Sequence, residues 1–336
     1  MAVLGIHHTT IVVPDLDKAV DFYTRVLGFA IAQEVVIDAA PAMAELTGLE
    51  SPQARGVFLK AGWGYLKLLQ FESPHPDHQY FWTTPNKLGL RHLSLVTGDA
   101  LRFYERTRND ILWHGEPVGH TVEEGNDAWT SYGRDPFGNI IELWTQGPKD
   151  PQPHAPDVYP HPGVVGAGAD LRADVENDVY GLHHAAVVFP NLEEGTKYYC
   201  ELFGLKKVQY GPIEPTEYAE RLCQLPKVEA IGWELRSGWS YLEVWEFKNP
   251  VHPEPQDPQR PYNKLGVSSI TFMVDDCQGE YERLQGKVTF NTAPLRQGDG
   301  WVTMGRDLYG NLIELWQLGE SDPQPFEPAV YPFGQT

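Results

Sequence analysis

Gly5-Ile6-His7-His8-Thr9-Thr10-Ile11-Val12-Val13-Pro14-Asp15-Leu16 decides the architecture, because it returns as Gly181-Leu182-His183-His184 through Pro190-Asn191-Leu192. Working outward, Gly62-Trp63-Gly64-Tyr65-Leu66 returns as Gly238-Trp239-Ser240-Tyr241-Leu242, and Asn86-Lys87-Leu88-Gly89 as Asn263-Lys264-Leu265-Gly266. Gly133-Arg134-Asp135 with Gly138-Asn139 and Glu142-Leu143-Trp144 returns as Gly305-Arg306-Asp307 with Gly310-Asn311 and Glu314-Leu315-Trp316. The tails match as well: Asp150-Pro151-Gln152-Pro153 with Val158-Tyr159-Pro160, and Asp322-Pro323-Gln324-Pro325 with Val330-Tyr331-Pro332. Matches this numerous and in one order mean a duplicated unit.

Each half divides again. Thr9 to Val13 is a β-branched run, followed by Asp15 as a helix cap. Leu16, Ala19, Val20, Phe22, Tyr23, Val26 and Leu27 keep helical spacing, and Gly28 closes the helix. Asn191 and Gly204 bracket the matching helix. A second strand-then-helix start follows in each half, at His92 to Val96 with Asp99, and at Ile270 to Val274 with Asp275. The last strands are Asn139 to Trp144 and Asn311 to Trp316. The pattern predicts an α+β fold of four βαβββ modules, one to four in chain order. They cover 1–70 and 86–146 in a first domain (1–146), and 181–247 and 263–318 in a second (181–318). Between them, 147–180 is rich in Pro, Gly and Asp and reads as a linker arm. Its recurrence at 319–336 suggests an arm packed on the domain.

The chain of 336 residues has a net charge of -20, and no stripe of Lys and Arg is present to hold phosphates, which excludes a nucleic-acid partner. No stretch has the length of a membrane span, and the first residues lack a signal-peptide pattern. Cys200, Cys223 and Cys277 have no metal-finger spacing and fit buried thiols in a reducing cytoplasm, the expected location. No P-loop or dinucleotide glycine fingerprint occurs. A homo-oligomer is compatible with the sequence.

A strand-borne His, a Pro-Asp-Leu helix start, a Phe-Tyr…Leu-Gly helix end and a closing Asp-Pro-x-Gly-Asn-x-x-Glu strand together resemble the vicinal oxygen chelate superfamily. That group holds glyoxalase I, epimerases, extradiol dioxygenases and bleomycin-resistance proteins. The resemblance implies paired modules curled into open barrels, each module offering one ligand from its first strand and one from its last. Carried over by position, the metal ligands are His8, His92, Glu142, His184, Glu243 and Glu314. Lys67 stands where a Glu is expected and Ser269 where a His is expected. Imidazole and carboxylate suit a divalent Fe, Zn, Mn, Ni or Co. Such side chains are costly to bury in apolar strands unless paired or metal-bound. His7 and His183 should face the other way by strand alternation. The loop residues His75, His78, His114, His120, His154 and His161 read as solvated.

Two pairings of the modules are open. Neighbours pairing would join His8, His92 and Glu142 into a two-His, one-carboxylate triad with Lys67 beside it, suited to an Fe(II) extradiol dioxygenase. Inner pairing with inner and outer with outer would join His92, Glu142, His184 and Glu243, and collect Lys67 and Ser269 in one spent site. The family's chemistry places two adjacent substrate oxygens on the ion. Glu142 or Glu243 would then serve as general base in an isomerase or lyase of glyoxalase or epimerase type. Tyr132 matches the tyrosine of the ring-cleaving motif, although the upstream His of that motif is missing, and Met304 and Leu308 break it in the second copy. Lys67 would bind a substrate carboxylate, replace the charge of a lost metal, or extend from a strand end. Trp63, Tyr65, Trp82, Trp129, Trp239, Tyr241 and Trp301 would wall an apolar pocket or pack the core. The partner expected is a small molecule, ring-bearing or apolar. A metal-free sequestering protein is the third reading.

Overall fold

A computed structural model describes residues 3–76, 82–121, 127–147, 149–151 and 179–325, with the side chains of 120, 121 and 127 left aside. The strands are β1 (Gly5–Val12), β2 (Ala30–Ile37), β3 (Gln53–Ala61), β4 (Gly64–Ser73), β5 (Gly89–Thr97), β6 (Val118–Thr121), β7 (Asp127–Arg134), β8 (Ile140–Thr145), β9 (Val179–Val188), β10 (Lys206–Ile213), β11 (Glu229–Ser237), β12 (Ser240–Asn249), β13 (Gly266–Met273), β14 (Thr289–Phe290), β15 (Leu295–Gln297), β16 (Gly300–Arg306) and β17 (Leu312–Gln317). Each module is a strand, a helix and further strands, giving the α+β class. Asp15 and Asn191 cap their helices by accepting from Lys18 N and Glu194 N. Modules one and three also carry a helix between their second and third strands, Pro41–Thr47 and Glu217–Cys223, that the module pattern did not contain. No helix among the described residues is long and apolar enough to cross a membrane.

The strand order settles the pairing. One sheet runs β14-β16-β17-β13-β1-β4-β3-β2, and the other runs β10-β11-β12-β9-β5-β8-β7-β6. Modules one and four therefore form an outer barrel through antiparallel β1 and β13, and modules two and three an inner barrel through β5 and β9. Each half of the chain gives one module to each barrel.

Every residue of β1 and β5 is buried. Their convex faces lie under the helices, where Phe22, Tyr23, Phe103, Tyr199 and Phe203 join one large apolar cluster. The repeated Asp-x-x-Gly-Asn is a turn. Asp135 accepts from Phe137 N and Asn139 N, and Asp307 from Tyr309 N and Asn311 N. Arg134 and Arg306 donate to the carbonyls of Gly138 and Gly310, which leaves Glu142 and Glu314 to the barrel interiors.

The joint between the barrels explains two other repeats. Trp63 packs on Gly181 and Trp239 on Gly5, where an added Cβ would stand about 3 Å from the indole. Both Trp side chains are fully buried, in a cluster with Val96 and Met273. They brace the joint and wall no pocket.

The parts of the arms that are described do pack on the barrels. The carbonyl of Pro323 meets His7 Nε2 at 2.6 Å, and that of Pro151 meets His183 Nε2 at 2.8 Å. Tyr65 Oη donates to Gln324 O, and Gln146 Nε2 to Pro151 O. Most of the 147–180 linker, the 326–336 end, and His78, His154 and His161 lie outside the described residues. His114 is not solvated as expected: it is half-buried against Leu222 O, and burial lowers its pKa to about 4.

Candidate metal centre

In the inner barrel, β9 brings His184, β5 His92, β8 Glu142 and β12 Glu243. His92 Nε2 lies 3.3 Å from His184 Nε2 and 3.1 Å from Glu243 Oε2. His184 Nε2 lies 3.0 Å from Glu142 Oε2 and 3.4 Å from Glu243 Oε2, and His92 Nε2 is 3.7 Å from Glu142 Oε2. Ligand bonds of 2.0–2.2 Å to a common centre imply donor separations of about 3–3.6 Å. Both Oε2 atoms are buried and lack a hydrogen bond among the described residues. The four atoms thus converge on one point, at separations that fit a cation.

Charge supports the same fit. Glu234 stands directly opposite Glu243 across β11 and β12, with its Oε1 3.3 Å from His184 Nδ1. Like charges placed so are destabilising on their own. The carboxylates of Glu142 and Glu243 against two imidazoles leave negative charge that a divalent ion offsets. Without an ion the imidazoles take the protons. For His184, burial opposes charge, but Glu234, Glu243 and Glu142 raise its pKa to about 10. His92 is raised for the same reason, with Glu142 and Glu243 outweighing burial. Glu142 is held well below the carboxylate range, the two imidazoles overcoming burial. Glu234 is pushed up to about 8, first by burial.

Glu142, His184, Glu234 and Glu243 line a cavity of about 520 Å³, together with Thr130, Tyr132, Tyr218, Trp233 and Trp245. Thr130 Oγ1 donates to Glu142 Oε1 at 3.1 Å, leaving Oε2 to face the histidines. Tyr132 packs 5.1 Å from the His92 ring, and burial and Glu142 push its phenol well above the usual value, so it stays protonated. The aromatic walls are therefore not those expected. Tyr65 and Tyr241 stack on His7 and His183, and Trp82, Trp129 and Trp301 are exposed.

His183 was expected to face away, and the structure corrects this. Pairing between β5 and β9 jumps from Ser94↔His184 to Leu95↔Leu182, so His183 is the extra residue of a bulge. Its Nδ1 lies 2.9 Å from His184 Nδ1. Pro151 O can only accept, so His183 Nε2 carries a proton. Burial and His184 lower its pKa to about 3, so the ring is neutral and Nδ1 is bare. His184 then donates from Nδ1 and keeps Nε2 for an ion. With Glu234 Oε1 also 3.3 Å from that Nδ1, the hydrogen-bond network assigns the tautomer of His184 from the arm inward. His183→Phe is expected to weaken metal binding about 10–100-fold, measured by competition with a chromogenic chelator; unchanged affinity would reject the relay.

The outer barrel repeats the frame without the centre. His7 repeats the bulge, its Nδ1 lying 2.9 Å from His8 Nδ1, so it too turns toward its neighbour instead of facing away as expected. Thr271 Oγ1 lies 3.0 Å from both His8 Nε2 and Glu314 Oε1, and His8 Nε2 is 3.7 Å from Glu314. His8 does not join His92 and Glu142, so the dioxygenase triad is not assembled. Phe58 opposes Lys67 where Glu234 opposes Glu243, and Met304 opposes Glu314 where Tyr132 opposes Glu142. Phe58, Met304, Val302 and Trp316 fill the interior as an apolar cluster. Lys67 is buried above the Phe58 ring, and Tyr262 and Glu314 outweigh burial to raise its pKa. A buried ammonium thus stands in the outer barrel at the position where Glu243 stands in the inner one. Lys67→Met removes the buried ammonium while Glu314 keeps its bond from Thr271, and is expected to cost about 1–2 kcal/mol, read by urea denaturation.

Burial lowers His7 to about 4, as it does His114. Folded values below the unfolded 6.5 mean that unfolding takes up protons in acid. Their contribution is complete above pH 6.5 and shrinks as pH falls toward 4, by up to about 1.4 kcal/mol per pH unit each. Denaturation midpoints should therefore fall across that window, and less steeply in His114→Gln.

Glu234, Thr130 and His183 were missed in the sequence. Laying one half on the other puts Glu234 over Phe58, a polar-for-apolar exchange that would have singled it out.

A model of the Glyoxalase/Bleomycin resistance protein/Dioxygenase superfamily matches residues 5–143 and 181–315. The chain belongs to that superfamily. It is 31% identical over 147 residues to a 2-epi-5-epi-valiolone epimerase from Actinomyces sp, covering 42% of this chain and 78% of that protein. In fold it is similar to glyoxalase I from Zea mays, with TM-score 0.59, 13% identity, and coverage of 93% of this chain and 92% of that one. A putative dioxygenase from Bacillus subtilis gives TM-score 0.59 at 16% identity, covering 94% and 86%. The curated relative with an assigned activity is an epimerase.

Proposed function

We propose that the inner barrel is a divalent-metal-dependent isomerase centre of epimerase type for a small substrate with two vicinal oxygens. The carrying observation is the pair Glu142 and Glu243, contributed by different modules, each with a free Oε2 beside both imidazoles. His92, His184, Glu142 and Glu243 would hold the ion. When bound, it supplies Lewis-acid polarisation of adjacent substrate oxygens.

The chain's own groups do the rest. One glutamate, shifted off the ion when substrate binds, would take the proton from the carbon beside a carbonyl, and the other would return a proton to that carbon. Thr130 orients Glu142 through Oε1. Tyr132, protonated, offers a hydrogen bond to a substrate oxygen, and the aromatic walls keep water out.

The test uses protein loaded in turn with Zn, Mn, Co, Ni or Fe and given 2-epi-5-epi-valiolone in D₂O. Deuterium at the carbon beside the carbonyl and appearance of an epimer are expected. Absence of exchange with every metal, for this compound and for simple 2-hydroxyketones, overturns the epimerase reading. Oxygen uptake with catechols would transfer the centre to dioxygenase chemistry.

A further inference from the structure

A second cleft, of about 100 Å³, lies between the strand starts of β5 and β17 and the loop that precedes β13. Four cations line it, Lys87, Arg91, Arg260 and Lys264, against two acids, Glu254 and Asp257. Such a concentration is unexpected in a chain of net charge -20. Lys87 is paired with Glu254. The two arginines have no carboxylate partner within 4 Å among the described residues.

Arg91 is 4% exposed, and its Nε and Nη1 go to Gly89 O and Thr83 Oγ1. Its Nη2 makes no hydrogen bond among the described residues, and lies beside Gly89 and Asn311 in the cleft. Arg260 gives Nη1 and Nη2 to Val267 O and Leu265 O, and its Nε is buried without a partner. Burial pushes its pKa down to about 10 against the pull of Asp257. Two guanidinium groups held by carbonyls and a hydroxyl alone, facing one space, retain donors that suit an oxyanion. The volume admits one tetrahedral ion.

We propose that this cleft binds a small tetrahedral oxyanion, phosphate or the headgroup of a phosphomonoester, held by Arg91 and Arg260 with the exposed Lys264 beside them.

The full chain is first stripped of metal and desalted, so that anions cannot bind through a metal ion at the centre. Inorganic phosphate is then titrated at constant ionic strength against chloride while the melting temperature is followed. A saturable rise of about 2 °C or more is expected. Lys264→Glu should weaken the half-saturating phosphate concentration at least about fivefold without moving the melting temperature in chloride. Arg260→Gln should abolish the rise; if that variant fails to fold, Lys264→Glu alone decides. Glycerol phosphate serves as the second probe: stabilisation at least equal to phosphate assigns the cleft to a phosphomonoester, and weaker stabilisation assigns it to the free ion. A phosphate effect no larger than that of chloride, or one indifferent to Lys264→Glu, overturns the proposal.

Discussion

Glu142→Gln is expected to slow proton exchange about 10²–10⁴-fold and to weaken the bound ion as well. The amide is nearly isosteric and can still accept from Thr130 through Oε1. What it loses is the charge that both His92 and His184 face at Oε2. Glu243→Gln should act in the same way from the other module, since its Oε2 lies within 3.4 Å of the same two nitrogens. The two variants should differ in one respect. With one glutamate serving each side of the carbon, each variant should block exchange from one epimer more than from the other. Wash-in of deuterium from each separate epimer measures that asymmetry. Variants that still bind metal and exchange at more than a tenth of the parental rate would sink the two-carboxylate reading.

Gly62→Ala and Gly238→Ala are expected to lose about 2–4 kcal/mol of stability each. Both glycines have φ in the left-handed region, at 67° and 60°. A Cβ at Gly62 would stand 2.1 Å from Tyr180 O, and one at Gly238 2.0 Å from Leu4 O. The obstacle is backbone on both sides, so no rotamer change relieves it. Each turn reaches from one barrel to the strand start of the other, so the damage falls on the joint. Chemical denaturation should show a reduced midpoint, and the inner centre should lose metal at lower denaturant than in the parent. A loss below about 1 kcal/mol in both would mean that the joint yields easily.

The modules were legible because their signals are local. Asp15 and Asn191 announce helices by their side chains, and the β-branched run from Thr9 announces a strand. Pairing was not legible. β1, β5, β9 and β13 are all buried on both faces, so no polar alternation says which neighbour each should take. The partners β1 and β13 are also far apart along the chain, where spacing carries no information. With pairing open, the ligand set stayed open too, although each member had been named. His183 was misjudged because alternation assumes a regular strand and one bulged residue reverses it. The cavity walls were misplaced because Trp63 and Trp239 look like lining residues until a glycine from the other barrel is seen beneath each.

Crossed pairing has a consequence for how the two interiors could diverge. If each half of the chain is compared to one subunit, both barrels lie at the seam between subunits, each built from one module of either half. In an assembly of two identical subunits, any exchange would appear in both seams at once. Joining the halves in one polypeptide removes that constraint. A lysine at 67 and a glutamate at 243 can then coexist, one seam solidifying into scaffold while its counterpart stays hollow. The same logic implies that residues 1–146 and 181–325, produced as separate polypeptides, must find each other before either interior can form.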